Sequence, residues 1–182
     1  VAKVILFEIN EVPWRVLDDY ARCFPDSYIA RTLARSDQYT TTTEDTLSPW
    51  TTWPSLHRGV PETVHNITDF NQELEEVNES YPPLWHLVNL LGISTGVCGS
   101  LHSYPVPEST YGYSFYIPDP FAKTPETHPP HIEFFQDFNL RLSRTSGRNV
   151  SKRFPWREAV KAVLSGPRLG IRPSTAFKLG RH

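Results

Sequence analysis

The chain has 182 residues, 38% hydrophobic and 13% aromatic, and 18 basic against 20 acidic side chains give a formal charge of −2. At about 150 residues per domain, that length predicts one domain with a sizeable core, and no run approaches the roughly 18 apolar residues of a membrane-spanning helix. Two cysteines, Cys23 and Cys98, exclude a disulfide scaffold and a four-thiolate zinc site. Both lie in apolar stretches and are expected to be buried free thiols. Seventeen prolines against nine glycines predict a chain rich in rigid loops.

Val4 to Ile9 is an apolar run broken only by Glu8, the pattern of a central parallel strand. It is too short for a signal-peptide core and has no small-residue cleavage site, so a cytoplasmic location is expected. Pro13 suits the first turn of a helix carrying Trp14, Leu17, Tyr20 and Ala21 through about Cys23. Pro25-Asp26 restarts a short helix through Tyr28, Ile29, Leu33 and Ala34. Gln38 to Thr43, rich in threonine, favours a strand. Trp50 to Leu56 reads as helix, ended by Gly59.

Asn71 to Ser80, with four glutamates, reads as a solvated acidic loop or helix. Pro83 opens a helix through Leu84, Leu87, Val88 and Leu91, closed by Gly92, and Ile93 to Val97 follows as a second buried strand. This helix–strand step predicts an α/β architecture. Residues 103–131 hold seven prolines and are expected to form a long substrate-side loop. Ile132 to Leu142 and Trp156 to Leu164 read as amphipathic helices. Within 141–182, eleven basic residues face one acid, Glu158, for a local charge of +10, which leaves −12 on residues 1–140. This tail lacks the interleaved aromatics of single-strand binders, so nucleic acid is not an expected partner. It suits an anionic substrate or the acidic part of the same protein.

Chemistry concentrates at Leu47-Ser48-Pro49-Trp50-Thr51-Thr52-Trp53-Pro54-Ser55-Leu56-His57-Arg58-Gly59, followed by Val60-Pro61 and His65-Asn66-Ile67. Ser48 precedes a short helix, where N–H groups and the positive end of the dipole favour an alkoxide or a bound phosphate or sulfate. The same position is also that of a plain N-cap. His57 and Arg58 read either as contacts to a substrate anion or as cations suited to the helix C-terminus. His86 reads as structural, and His102, His128 and His131 fall in proline-rich loops without metal-site spacing. Asn-x-Ser/Thr triplets at Asn66, Asn78 and Asn149 read as coincidental without a signal sequence.

This segment resembles the nucleophile region of the alkaline phosphatase superfamily, in its type I phosphodiesterase/nucleotide pyrophosphatase and sulfatase-like branches. Gly59, Pro61 and His65-Asn66-Ile67 match the family's Gly, Pro and His-Gly-Ile, with Asn66 in place of the glycine. Ser48, eleven positions before Gly59, fits the nucleophile spacing, while Thr52-Trp53-Pro54-Ser55 resembles the local Thr-aromatic-Pro-Asn/Ser form. The resemblance therefore implies Ser48 as nucleophile, with Thr52 as the alternative. It also implies a metal ligand at the end of the first strand, where Asn10 stands at the family's Asp position, within Glu8-Ile9-Asn10-Glu11. An uncharged amide weakens metal affinity unless Glu8 or Glu11 compensates. Gly99-Ser100-Leu101 and Ile117-Pro118-Asp119-Pro120-Phe121-Ala122 resemble a bacterial subgroup of the same superfamily.

The fold implied is an α/β alkaline-phosphatase-like core with a mostly parallel central sheet flanked by helices. The family's later Asp and His ligands have no counterpart in these residues, so the chain is expected to be the N-terminal part of one such domain, with a C-terminal half of the same polypeptide as its partner. The activity implied is metal-dependent hydrolysis of phosphate or sulfate esters through a covalent Ser/Thr intermediate, with two divalent ions, Zn or Mn, and with Asn10 and Ser48 among their ligands. His57 and Arg58, read from the residues alone, are the candidate contacts to the anionic ester, with a helix-end cap as the other reading. The alternatives are a non-catalytic binding module on the same fold and a transferase that moves a phospho-group onto a glycan or lipid.

Overall fold

The computed structural model describes residues 3–42 and 47–145, with Arg157, Val160, Leu164 and Gly166 at isolated positions. Among these residues the fold is mixed α/β. Helices α1 (Trp14–Cys23), α2 (Tyr28–Leu33), α3 (Pro49–Arg58), α4 (Glu62–His65), α5 (Glu75–Ser80) and α6 (Leu84–Leu90) precede strands β1 (Thr95–Cys98) and β2 (Tyr113–Ile117). A 3₁₀ turn, Pro130–Ile132, then leads into α7 (Glu133–Thr145).

Local chemistry accounts for the helix ends. Pro13 caps α1 in an extended conformation, and the Ser27 hydroxyl caps α2 by accepting the Ala30 N–H at 3.1 Å. Ser48 caps α3, Pro49 occupies its first position, and Gly59 closes it at φ 68. Asn66 ends α4 at φ 52, a left-handed conformation open to asparagine as well as glycine. This explains why asparagine can stand in the His-Asn-Ile triplet.

β1 and β2 form one parallel pair, with Gly96 opposite Phe115 and Cys98 opposite Ile117. The parallel pairing agrees with an α/β reading, but the sheet has two strands among the described residues. β2 corrects the reading of 103–131 as wholly loop. The run Tyr113-Ser114-Phe115-Tyr116-Ile117 lies between prolines rather than among them, so its N–H groups are free to pair. Val97, Tyr113 and Tyr116 form the core with Trp85 and Val106 packed against them. α6 packs beside β1, and Ile67, Leu74, Ala122 and Leu140 are also buried.

Three further expectations are corrected. Val4 to Ile9 forms no strand, and Val4, Ile5 and Phe7 are 91%, 88% and 79% exposed. An apolar run marks a buried strand only where neighbours lie along its edges, and no backbone hydrogen bond joins residues 3–12 to other described residues. Cys23 and Cys98 are free but exposed: α1 buries none of its residues, and Cys98 lies on the outer face of β1. Residues 38–42 form no strand, and Thr43 lies outside the described residues. The helix expected at Trp156 to Leu164 lies largely outside them, as does most of the basic tail.

Candidate functional site

Helix α3 organises the site. The Trp50 N–H donates to Ser48 Oγ at 3.3 Å, while the Thr51 and Thr52 N–H groups reach the Ser48 carbonyl at 3.1 and 2.8 Å. Ser48 is thus a true N-cap, half-buried, and its cap bond leaves the hydroxyl proton uncommitted. Thr52 lies one turn later on the same helix face, and its Oγ1 is buried without a hydrogen-bond partner.

The first segment is clipped to α3 by two side-chain contacts. His57 Nε2 lies 2.7 Å from Glu8 Oε1, and the Trp53 indole N–H donates to Asn10 Oδ1 at 3.1 Å. Residues 53 and 57 share one face of a helix, and the chain turns at Asn10 and Glu11, so that Glu8 and Asn10 both meet that face. Ser100, just beyond β1, donates its hydroxyl to Glu8 Oε2 at 2.9 Å and lies 3.5 Å from His57 Nε2. Because a carboxylate only accepts, His57 Nε2 carries the hydrogen in this cluster. Trp53 stacks on the His57 ring at 5.8 Å and Trp85 meets it edge-on at 4.9 Å. Glu8 is partly buried, which raises its pKa, but the His57 and Ser100 bonds outweigh burial and hold the carboxyl below its ordinary value.

Arg58 is buried and donates to the Tyr81 carbonyl and, at 2.8 Å, to Asn78 Oδ1. No carboxylate pairs with it among the described residues, and its Nε has no hydrogen-bond partner. Burial lowers its pKa to about 10. Both cations expected at the substrate are therefore turned toward protein groups, tying α3 to the first segment and to the α5–α6 connection.

Ser55 and His65 look like a nucleophile–base pair at 2.9 Å but have the opposite polarity. The Ile67 N–H donates to His65 Nδ1 at 2.9 Å, so Nε2 holds the proton and donates to Ser55 Oγ. The Ser55 hydroxyl in turn donates to the Thr51 carbonyl at 3.0 Å. Burial, the largest effect, pushes the His65 pKa down, in keeping with a neutral ring. Ser55 is a structural hydroxyl.

The two divalent ions implied by the resemblance find an incomplete donor set. Among the described residues no group of three or more His, Cys, Asp or Glu side chains is arranged to hold a metal. Asn10 Oδ1 already accepts from Trp53, and both Glu8 oxygens are hydrogen-bonded. These residues alone do not fit two ions, and no chemical step below is routed through a metal.

The sequence reading gave Glu8 only as a carboxylate compensating for Asn10, and gave Ser100 and His102 no role. Glu8 carried a signal, as a charge inside an apolar run. Ser100 stood only within the Gly99-Ser100-Leu101 match, with no role of its own, because it meets Glu8 through a contact 92 residues apart in the chain. His102 sat in a proline-rich loop yet is buried. The chain matches no family model, no curated protein and no solved structure.

Proposed function

We propose that the chain carries the nucleophile-bearing part of a metal-dependent hydrolase of phosphate or sulfate esters. The supporting observation is the clip itself: Glu8 and Asn10, at the end of the first segment, bond to His57 and Trp53 on the helix that begins at Ser48. That contact between first-segment end and nucleophile helix is what this reading requires, and no local sequence feature imposes it.

In this reading Ser48 Oγ forms a bond to phosphorus or sulfur as the bond to the ester's alkoxide breaks, and the serine proton leaves with the departing alcohol. The Trp50 N–H at Ser48 Oγ and the helix dipole stabilise negative charge on that oxygen. Water then cleaves the covalent phospho- or sulfo-enzyme. Glu8, His57 and Arg58 act by positioning α3. Two divalent ions, Zn or Mn, belong to the proposal, with Asn10 and Ser48 among their ligands and the remaining ligands drawn from outside the described residues.

The test is turnover of bis(4-nitrophenyl) phosphate and 4-nitrophenyl sulfate by the full-length protein with Zn or Mn added. Ser48→Ala should lower the rate by about 10³-fold or more, while Thr52→Ala keeps it. The reverse pattern would make Thr52 the nucleophile. No metal-dependent turnover of either ester, or full activity in both variants, would refute the proposal. An added alcohol that appears in the product would show transfer rather than hydrolysis.

A further inference from the structure

Beyond Ser48, the start of α3 borders a recess that the hydrolase reading does not use. Trp50, Phe70 and Phe121 form a ring cluster with centroids 5.0, 5.2 and 5.1 Å apart. Phe70 and Phe121 remain 41% exposed, so two faces of this wall stay open to solvent. They line a groove of about 300 Å³ whose rim carries Asn71 and Lys123, a volume at the lower end of small-molecule sites. The same four residues also border a niche of about 20 Å³ that reaches inward to His102 and Asp119. That niche fits one small polar group, on the scale of a water molecule.

The polarity of the niche follows from His102. Its Nε2 lies 3.2 Å from the Asp69 carbonyl, which only accepts, so Nε2 carries the hydrogen. Burial drives the ring's pKa down to about 4, which keeps it neutral near pH 7. Nδ1 is therefore a bare acceptor, and it is buried without any hydrogen-bond partner. The residue is 94% removed from solvent and held at φ 60, a conformation histidine seldom adopts. The neighbouring Asp119 carboxylate is already satisfied by the Ser103, Tyr104 and Phe121 N–H groups. His102 is thus the acceptor left for an incoming donor.

At the rim, Lys123 pairs with Glu73, and the two side chains are 50% and 72% exposed. An exposed pair of this kind contributes little, so Lys123 is free to exchange it for an anion on a ligand. We propose that this recess binds a small planar aromatic ligand, with its ring against Phe70 and Phe121, a hydrogen-bond donor directed to His102 Nδ1, and an anionic group beside Lys123. The site is independent of Ser48 chemistry, although Trp50 connects the two.

Calorimetric titration of the full-length protein at pH 7.5 with 4-aminobenzoate, benzoate and 4-nitrobenzoate tests this. The amino compound should bind about tenfold more tightly than benzoate, the worth of one hydrogen bond to a buried acceptor. The nitro compound, which only accepts, should bind more weakly than benzoate. Phe121→Leu and Lys123→Ala should weaken all three. His102→Asn, which tolerates the left-handed backbone, should abolish the amino-over-nitro preference. Equal binding of all three compounds, no binding, or indifference to Phe121→Leu would leave the niche as a water site and overturn the proposal. Benzoates are not esters, so failure here is separable from failure of the hydrolase reading.

Discussion

Acidification should destabilise this protein well above the pH range of ordinary carboxylate titration, chiefly through His102. The ring is buried, and burial is the main force against its protonation; the Arg58 charge acts in the same sense, while the Asp69 carbonyl opposes them. The result is a folded-state pKa of about 4 against 6.5 for the free side chain. Between those values the unfolded chain binds more protons than the folded one, so stability falls as pH falls. Each pH unit fully inside that interval is worth about 1.4 kcal/mol, and the whole interval amounts to about 3 kcal/mol. Domains are stable by only about 5–15 kcal/mol, so the loss is large. His65, also lowered by burial, acts with the same sign. Urea unfolding followed by tryptophan fluorescence at steps from pH 7.5 to 4.5 measures the effect. His102→Asn should remove most of the slope and leave the smaller His65 part. A flat profile over that range, or an unchanged slope in His102→Asn, would refute the assignment of His102 as a buried neutral ring.

Glu8→Gln replaces a charged acceptor of two hydrogen bonds. Because no backbone hydrogen bonds hold residues 3–12 to other described residues, the effect should be local: exchange of the Trp53 indole hydrogen, bound to Asn10, should accelerate about tenfold, the equivalent of about 1.4 kcal/mol. An unchanged exchange rate would show that Glu8 does not hold the segment. Gly59→Ala should cost about 1 kcal/mol in denaturant unfolding, purely from the left-handed backbone, since a Cβ there meets nothing within 4 Å. Gly96→Ala places a Cβ 2.3 Å from the Phe115 ring. It should cost about 1–3 kcal/mol as the ring is displaced, measured as a lower urea midpoint; an unchanged midpoint would mean that the ring moves without penalty.

How legible the site was depended on the range of the interactions. Ser48, Pro49 and Gly59 mark the limits of α3 in the sequence because capping is satisfied within a turn of the chain. Pro83 and the apolar spacing after it mark α6 in the same way. Asn66 was visible as a departure from glycine, and only its φ explained it. The roles of His57 and Arg58 were not legible. Their local setting at a helix end is compatible with an exposed anion contact, and their burial comes from Glu8, Ser100, Asn78 and Tyr81, far away in the chain.

The sequence by itself determined the helices of the middle of the chain, the first strand of the parallel pair and the α/β class, because backbone capping and hydrophobic period are local properties. Tertiary structure decided what the local pattern left open. It left the apolar run at Val4 to Ile9 unpaired, since strand pairing depends on a partner edge and not on the run itself. It paired Tyr113–Ile117 with Thr95–Cys98 inside a proline-rich stretch. It also buried His102 with one nitrogen unmatched, because burial and hydrogen bonding at that ring are set by residues brought together from Trp50, Asp69 and Phe121 rather than by its neighbours in sequence.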